Sequence, residues 1–299
     1  FGKISYTLAD AGKTYVYTIT ERGSEAGVTN DADSTRTVTV TVSDNGDGTL
    51  NVAKVEDKKG MTFTNTYAAT GETTLEAEKK LTGREFKEGD AWTFTVTCDT
   101  EGAPMPEHTT VTTDAASGYT DALDFGKIAY TLADAGKTYV YTITESGSAT
   151  NVTNDPNSVR TVKVTVTDNG DGTLNAVKTE DANGMTFVNA YSADGETTLD
   201  VTKVLSGREF KNGDAWTFKL TSATEGAPMP EKTSVTTDAT SGNSQTLSFG
   251  KIQYSLDDAG KTYVYKITES GHGDGVTNDA NNVRTITVSV TDGGNGKLD

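Results

Sequence analysis

Three polar side chains fall where alternating strand patterns call for apolar ones, and an amine, a carboxylic acid and a carboxamide could react with one another. Leu75, Ala77, Lys79 and Leu81 share one face of a predicted strand, so Lys79 points inward. Tyr139, Tyr141, Ile143 and Glu145 share a face of a second strand, and Met185, Phe187, Asn189 and Tyr191 share a face of a third. Glu145 and Asn189 therefore point inward too. A lone Lys or Glu near a strand end is ordinarily solvated by snorkelling, and a lone Asn ordinarily closes a turn. Three together change the reading. An unpaired buried Lys or Glu is costly, so such groups are held neutral, paired or consumed by reaction. Burial lowers the pKa of a lysine and raises that of a glutamate, which would set a neutral amine nucleophile beside a protonated acid.

The same register recurs along the chain. Leu199, Val201, Lys203 and Leu205 repeat the first set, Tyr263, Tyr265, Ile267 and Glu269 repeat the second, and the opening segment carries Glu21 and Asn65. The recurrence has a period: the string Phe-Gly-Lys-Ile-x-Tyr begins at Phe1, Phe125 and Phe249, a spacing of 124 residues. A self-similar string of domain-sized units makes length, which enzymes seldom need. The residues are expected to hold one complete unit at 70–193, the C-terminal part of a unit at 1–69 and the N-terminal part of another at 194–299. Glu21 and Asn65 have no partner lysine, and Lys203 and Glu269 have no partner asparagine. The expectation is a longer polymer whose units each close in cis, not chains that complete one another.

The elements that must position these residues are strands. Runs such as Thr138–Thr144, Arg160–Val166 and Trp92–Thr97 alternate apolar residues with Thr, the period of half-buried strands. Asp168-Asn-Gly-Asp-Gly172 has the chemistry of a hairpin turn, and Ala103-Pro-Met-Pro106 that of a rigid loop. Seven to nine strands per unit and no helix are expected, which suits an all-β, two-sheet sandwich with its own core. Tyr67–Thr73 and Tyr191–Thr197 read as short joints of a semi-rigid string.

Composition narrows the partners. With 43 acidic and 26 basic residues the net charge is −17, which argues against nucleic acid or anionic lipid. No apolar run is long enough to span a bilayer, and no signal peptide or anchoring tail is evident, as expected of an internal stretch of a longer chain. A single cysteine, Cys98, faces Ser222 one period later, so neither a disulfide framework nor a thiolate metal site is expected. Asp134-Ala-Gly-Lys-Thr138 ends like a phosphate-binding loop, yet Thr131 stands where its first glycine belongs and a strand follows where a helix is required. The Asp-Asn-Gly-Asp-Gly turns lack the ligand spacing of a calcium loop. Trp92 and Trp216, one period apart, mark core packing. No metal and no cofactor are expected.

The order Leu75-x-Ala-x-Lys79-x-Leu-x-Gly-Arg84, then Gly136-x-Thr-Tyr139-x-Tyr-x-Ile-x-Glu145, then Phe187-x-Asn189-x-Tyr191 resembles the streptococcal pilin isopeptide linkage domain, related to the collagen-adhesin B-type modules of Gram-positive surface proteins. The resemblance covers the whole unit. It implies tandem immunoglobulin-like sandwiches of the inverse, collagen-adhesin B type, each with a spontaneous amide between the first-strand Lys and last-strand Asn, assisted by the Glu. Carried over, Lys79 and Asn189 are cross-linked with Glu145 as proton relay; Lys203 and Glu269, and Glu21 and Asn65, are the same residues in the flanking parts. Ala77 stands where the family favours a larger aliphatic residue. In the expected reaction the amine attacks the carboxamide carbon while protonated Glu145 hydrogen-bonds the amide oxygen, relays protons and releases ammonia.

The resemblance and the repeats together imply a structural stalk or fibre segment of an extracellular, cell-wall-linked adhesin or pilus-like protein. It is no enzyme beyond one self-cross-linking turnover. Its expected partners are tandem copies of itself, with a host ligand at a tip domain outside these residues. The alternative is a multivalent adhesin that binds host protein or glycan through the repeated loops Glu101–Glu107 and Glu225–Glu231. A calcium-rigidified adhesin is a third reading.

Overall fold

The computed structural model describes residues 1–299, and apart from three short 3-10 turns, at Leu8–Asp10, Leu132–Asp134 and Leu256–Asp258, its regular structure is all strand. Nine strands lie between residues 70 and 191 and form two sheets. One sheet runs, in spatial order, Leu174–Glu180, Val159–Asp168, Thr138–Gly147, Trp92–Cys98 and Thr110–Thr112. The other runs Val152–Thr153, Thr186–Tyr191, Thr70–Thr82 and Thr120–Thr131. Their inner faces enclose one core that includes Leu75, Trp92, Phe94, Tyr141, Ile143 and Phe187. This is an immunoglobulin-like sandwich. Residues 194–298 repeat its first part around a second core that includes Leu199, Trp216, Phe249 and Tyr265, and residues 1–67 repeat its second half.

Strand pairing is antiparallel with one exception. The first strand, Thr70–Thr82, lies beside the last, Thr186–Tyr191, and the two run parallel with Lys79 opposite Phe187 and Leu81 opposite Asn189. Thr138–Gly147 is the central strand of the facing sheet. The Phe-Gly-Lys-Ile strings at Phe125 and Phe249 are β-bulges in the strands that pair with the first strands of their units. Gly126 there has a φ of 79° and switches the inward side, so that Phe125 and Ile128, of opposite parity, are both fully buried.

Two sequence readings change in detail. Thr70–Thr73 and Asp194–Thr197, read as joints, belong to the first strands of their units, because their backbones pair with Ile128–Thr131 and Ile252–Ser255. Backbone pairing needs no apolar marker, so a Thr-Gly-Glu-Thr string carries none. Asp134 of the apparent phosphate-binding loop is buried, where its carboxylate accepts the Thr131 N–H at 2.8 Å and the Tyr139 hydroxyl at 2.7 Å. Asp168–Gly172 is a hairpin turn, closed by the Asn169 N–H on Thr173 O at 3.1 Å.

Candidate functional site

Local pattern puts each reactive side chain inside. Lys79 and Asn189 sit on neighbouring strands of one sheet, separated along the strand by the step from Phe187 to Asn189. Glu145 reaches them from the central strand of the facing sheet, where it pairs with Phe94. All three are buried, and Lys79 and Asn189 are wholly so. The ring of Phe94 packs 5.0 Å from that of Phe187 and closes the core side. Such walls exclude water and strengthen every polar contact within.

One oxygen joins the three groups. Glu145 Oε1 lies 2.7 Å from Lys79 Nζ and accepts a hydrogen bond from Asn189 Nδ2 at 3.0 Å. The other Asn189 Nδ2 hydrogen goes to Asn154 Oδ1 at 3.1 Å, while Asn189 Oδ1 accepts the Asp155 backbone N–H at 2.7 Å. That backbone donor fixes the direction of the carboxamide, since a flipped amide would set two N–H groups face to face. The amide nitrogen, not the oxygen, therefore faces Glu145. This corrects the expectation that the glutamate holds the oxygen. Glu145 Oε2 is buried with no hydrogen-bond partner. Lys79 Nζ also approaches Phe187 O at 3.4 Å and lies 5.2 Å from the centre of the Trp92 ring. Burial pushes the Lys79 pKa down, against the pull of Glu145 in the other direction.

The carboxamide is held by a turn that the sequence reading passed over. Asn154 Oδ1 also accepts the Trp92 indole N–H at 3.1 Å, and Asn154 Nδ2 donates to Gly147 O at 2.8 Å. Asp155 Oδ2 accepts from Arg160 Nη2 at 2.9 Å and from the Val188 N–H at 2.8 Å, and Oδ1 accepts the Asn157 N–H at 2.8 Å. Burial alone would raise the Asp155 pKa, but these donors and the Arg160 charge hold it below the usual carboxylate range. The Arg160 guanidinium covers the Phe187 ring at 4.7 Å. A signal existed: Val-Thr-Asn-Asp recurs at 28–31, 152–155 and 276–279, followed five residues after the aspartate by Arg36, Arg160 or Arg284.

The flanking parts carry the two halves of this arrangement. In the opening segment Asn65 Nδ2 donates to Glu21 Oε1 at 2.8 Å, and the Asp31 N–H donates to Asn65 Oδ1 at 2.9 Å. In the closing segment Lys203 Nζ pairs with Glu269 Oε1 and lies 4.7 Å from the Trp216 ring centre. Trp216 donates in turn to Asn278 Oδ1 at 2.9 Å. A cleft of 220 Å³ opens beside Lys203, lined also by Phe218, Glu269, Asp279 and Arg284. So the structure brings Lys79, Glu145 and Asn189 together, Lys203 to Glu269, and Glu21 to Asn65.

A family model described as FctA, a Spy0128-like isopeptide containing domain, matches residues 1–68, 75–192 and 199–299. The chain belongs to the FctA family. Each matched segment carries one copy, whole or partial, of the arrangement just described. No curated protein matches the chain. Among solved structures, it is similar to the major pilin protein (T-13) from Streptococcus pyogenes serotype GAS131465, at 17% identity over 78% of this chain and 93% of that one, with a TM-score of 0.27. The major pilin protein (T3.2) from Streptococcus pyogenes serotype GAS13637 gives 14% identity over 68% and 84%, with a TM-score of 0.26. A streptococcal ancillary pilin gives 14% identity over 85% and 72%, with a TM-score of 0.19. At these scores the FctA assignment rests on the family match alone.

Proposed function

We propose that residues 70–193 form a module locked by an amide between Lys79 Nζ and Asn189 Cγ, and that the chain is a load-bearing stretch of a Gram-positive surface fibre. The observation that carries the chemistry is the shared oxygen, Glu145 Oε1, in contact with both the attacking amine and the leaving amide nitrogen. Glu145 takes a proton from the Lys79 ammonium, and the neutral amine adds to Asn189 Cγ. The charge that develops on Asn189 Oδ1 is met by the Asp155 N–H. Glu145 then gives its proton to Nδ2, the Cγ–Nδ2 bond breaks, and ammonia leaves. The new amide nitrogen sheds its extra proton to Glu145, whose unpartnered Oε2 is free to receive it, and ammonia carries that proton away as ammonium. Atoms balance with the loss of one ammonia and the carboxylate restored. Each module reacts once, so the process is maturation and not turnover.

The stalk reading draws on FctA membership, on tandem units and on the acidic surface that goes with net charge −17. No helix is long and apolar enough to cross a membrane. A place outside the cell, linked to the wall, fits a bond that needs no oxidant and a chain with one cysteine. The repeated Glu101–Glu107 loop is bound to its own unit: Pro104 O accepts the Tyr141 hydroxyl at 2.8 Å, and Pro228 O accepts that of Tyr265 at 2.8 Å. Its near-identity between units thus has a packing reason, which favours the stalk over the adhesin.

Intact mass is the decisive measurement. The folded chain is expected to weigh one ammonia less than its sequence, with digestion yielding a branched peptide that joins Lys79 to Asn189. Full mass in a natively folded sample would sink the proposal. Asn154→Ala, which removes one acceptor of the carboxamide and the partner of Trp92, is expected to slow the mass loss on refolding without abolishing it. A rate equal to that of the parent would remove Asn154 from the mechanism.

A further inference from the structure

The two places where one unit meets the next repeat the same contacts. At the first, the Tyr67 hydroxyl donates to Asp168 Oδ1 at 2.7 Å and accepts the Gly172 N–H at 3.2 Å. At the second, the Tyr191 hydroxyl donates to Asp292 Oδ1 at 2.9 Å and accepts the Gly296 N–H at 2.8 Å. Beyond each tyrosine the chain runs on beside the same hairpin, where Thr70 N–H donates to Gly172 O at 3.2 Å and Asp194 N–H to Gly296 O at 3.3 Å. Ala69 and Ala193 are buried. Gly71 and Gly195 come so close that an added Cβ would stand 2.5 Å from Leu174 O or 2.7 Å from Leu298 O. The hairpin thus accounts for the recurring Tyr-x-Ala-x-Gly, meeting the tyrosine across the joint and the glycine within its own unit.

We propose that the Asp-x-Gly-x-Gly hairpin of each unit is a socket for the Tyr-x-Ala end of the unit before it, a latch that holds consecutive units in one orientation. Units joined by a short connection move relative to one another unless their contact opposes it. A phenol that donates to a carboxylate and accepts a backbone N–H is fixed in both position and direction. The hairpin holds its shape through bonds of its own. In the opening segment the hairpin keeps its internal bonds, Gly46 N–H to Asp44 Oδ1 at 2.9 Å and Thr49 N–H to Asp47 Oδ1 at 3.0 Å. The occupied hairpin has the same two, from Gly170 at 2.9 Å and Thr173 at 3.0 Å. Beside the opening hairpin lies a groove of 540 Å³ lined by residues that include Tyr6, Leu8, Asp44, Gly48 and Leu50. Their counterparts one period on, Tyr130, Leu132, Asp168, Gly172 and Leu174, flank the path of Tyr67–Gly71.

The second joint adds side-chain contacts. Asn151 is the one non-glycine residue with positive φ, at 57°, and its Nδ2 donates across the joint to Asn295 O at 2.6 Å. Lys87 Nζ donates to Gly294 O at 2.8 Å, and the Arg84 guanidinium lies 5.1 Å from the Tyr191 ring centre. At the first joint Gly27 takes the place of Asn151 and meets the hairpin backbone directly: a Cβ on it would stand 2.5 Å from Gly172 Cα.

Double electron–electron resonance on the full chain tests the latch. With Cys98→Ser as background, spin labels at the exposed positions Lys163→Cys and Lys266→Cys report across the second joint. The parent is expected to give one narrow distance. Tyr191→Phe, which keeps the ring and removes both hydroxyl contacts, is expected to widen it roughly twofold, toward the freedom usual between linked units. Asn151→Gly, already the residue at 27 and 275 in the same backbone conformation, should widen it less. Intact mass and near-ultraviolet circular dichroism on the same samples separate a loosened joint from a damaged unit. A broad distribution in the parent, or no widening from either variant, overturns the latch.

Discussion

Glu145→Gln will give a chain that folds, keeps its full mass and melts well below the parent. Glutamine preserves volume and can still bond Lys79 and Asn189, but it cannot accept a proton from one and pass it to the other. The amine then stays an ammonium and the amide stays unbroken. Closing a loop on the order of 100 residues is worth roughly 4 to 5 kcal/mol in the chain-entropy account of cross-links. For a unit of this size that is roughly 15 to 25 °C in Tm. Both variants leave the wholly buried Lys79 without its counter-charge, a loss of about 3 to 5 kcal/mol for a broken buried pair, and Glu145→Ala should fall further because it also gives up the hydrogen bonds and the volume that glutamine keeps. Lys79→Met, which fills the same space without a charge, should be uncross-linked yet sit nearer Glu145→Gln. Scanning calorimetry with intact mass on each sample checks the order. Loss of ammonia by Glu145→Gln at the parental rate would remove the glutamate from the proton path.

A synthetic peptide of residues 181–192 will attach covalently to Lys203. The closing segment has the lysine, the glutamate and the Trp216–Asn278 support in place, with an open cleft where the complete unit seats its last strand. The exposure of one ion pair measures that difference: Arg160 and Asp155 are 3% and 8% exposed under the last strand, whereas Arg284 and Asp279 are 57% and 49% exposed. The peptide brings Phe187 to cover the arginine and Asn189 to meet the amine. The adduct should weigh chain plus peptide less one further ammonia. It should be absent with Lys203→Ala in the chain or Asn189→Ala in the peptide. Tight binding without any adduct would show that proximity of the three groups is not enough, and an adduct formed by the Asn189→Ala peptide would place the chemistry elsewhere.

Much of this arrangement could be read by counting in twos. Parity alone put Lys79, Glu145 and Asn189 inside, and the unbroken alternation of the Thr-rich strands marked the two sheets. What parity leaves out is the direction of groups held by backbone. The Asn189 carboxamide turns its nitrogen to Glu145 because a main-chain N–H at Asp155 claims the oxygen, and a main-chain donor leaves no letter in the sequence. Trp92 was legible as core, but its indole N–H on Asn154 and its ring beside Lys79 depend on strands that meet only in the folded unit. The extra strand residues at Thr70–Thr73 escaped for a related reason, since polar Thr and Glu with a Gly among them resemble a linker until a partner strand is beside them.

Parallel pairing of the first and last strands has a geometric outcome. A chain that enters a unit at Thr70 and leaves at Tyr191 does so at opposite ends, so no unit doubles back on the one before it. With 13 residues at about 3.3 Å each, the first strand alone advances the chain roughly 40 Å. Copies arranged in this way add distance in equal steps and always in the same sense. The number of copies therefore sets reach as marks on a ruler do, and a fibre made from them has a distinct front and back at every point along its length.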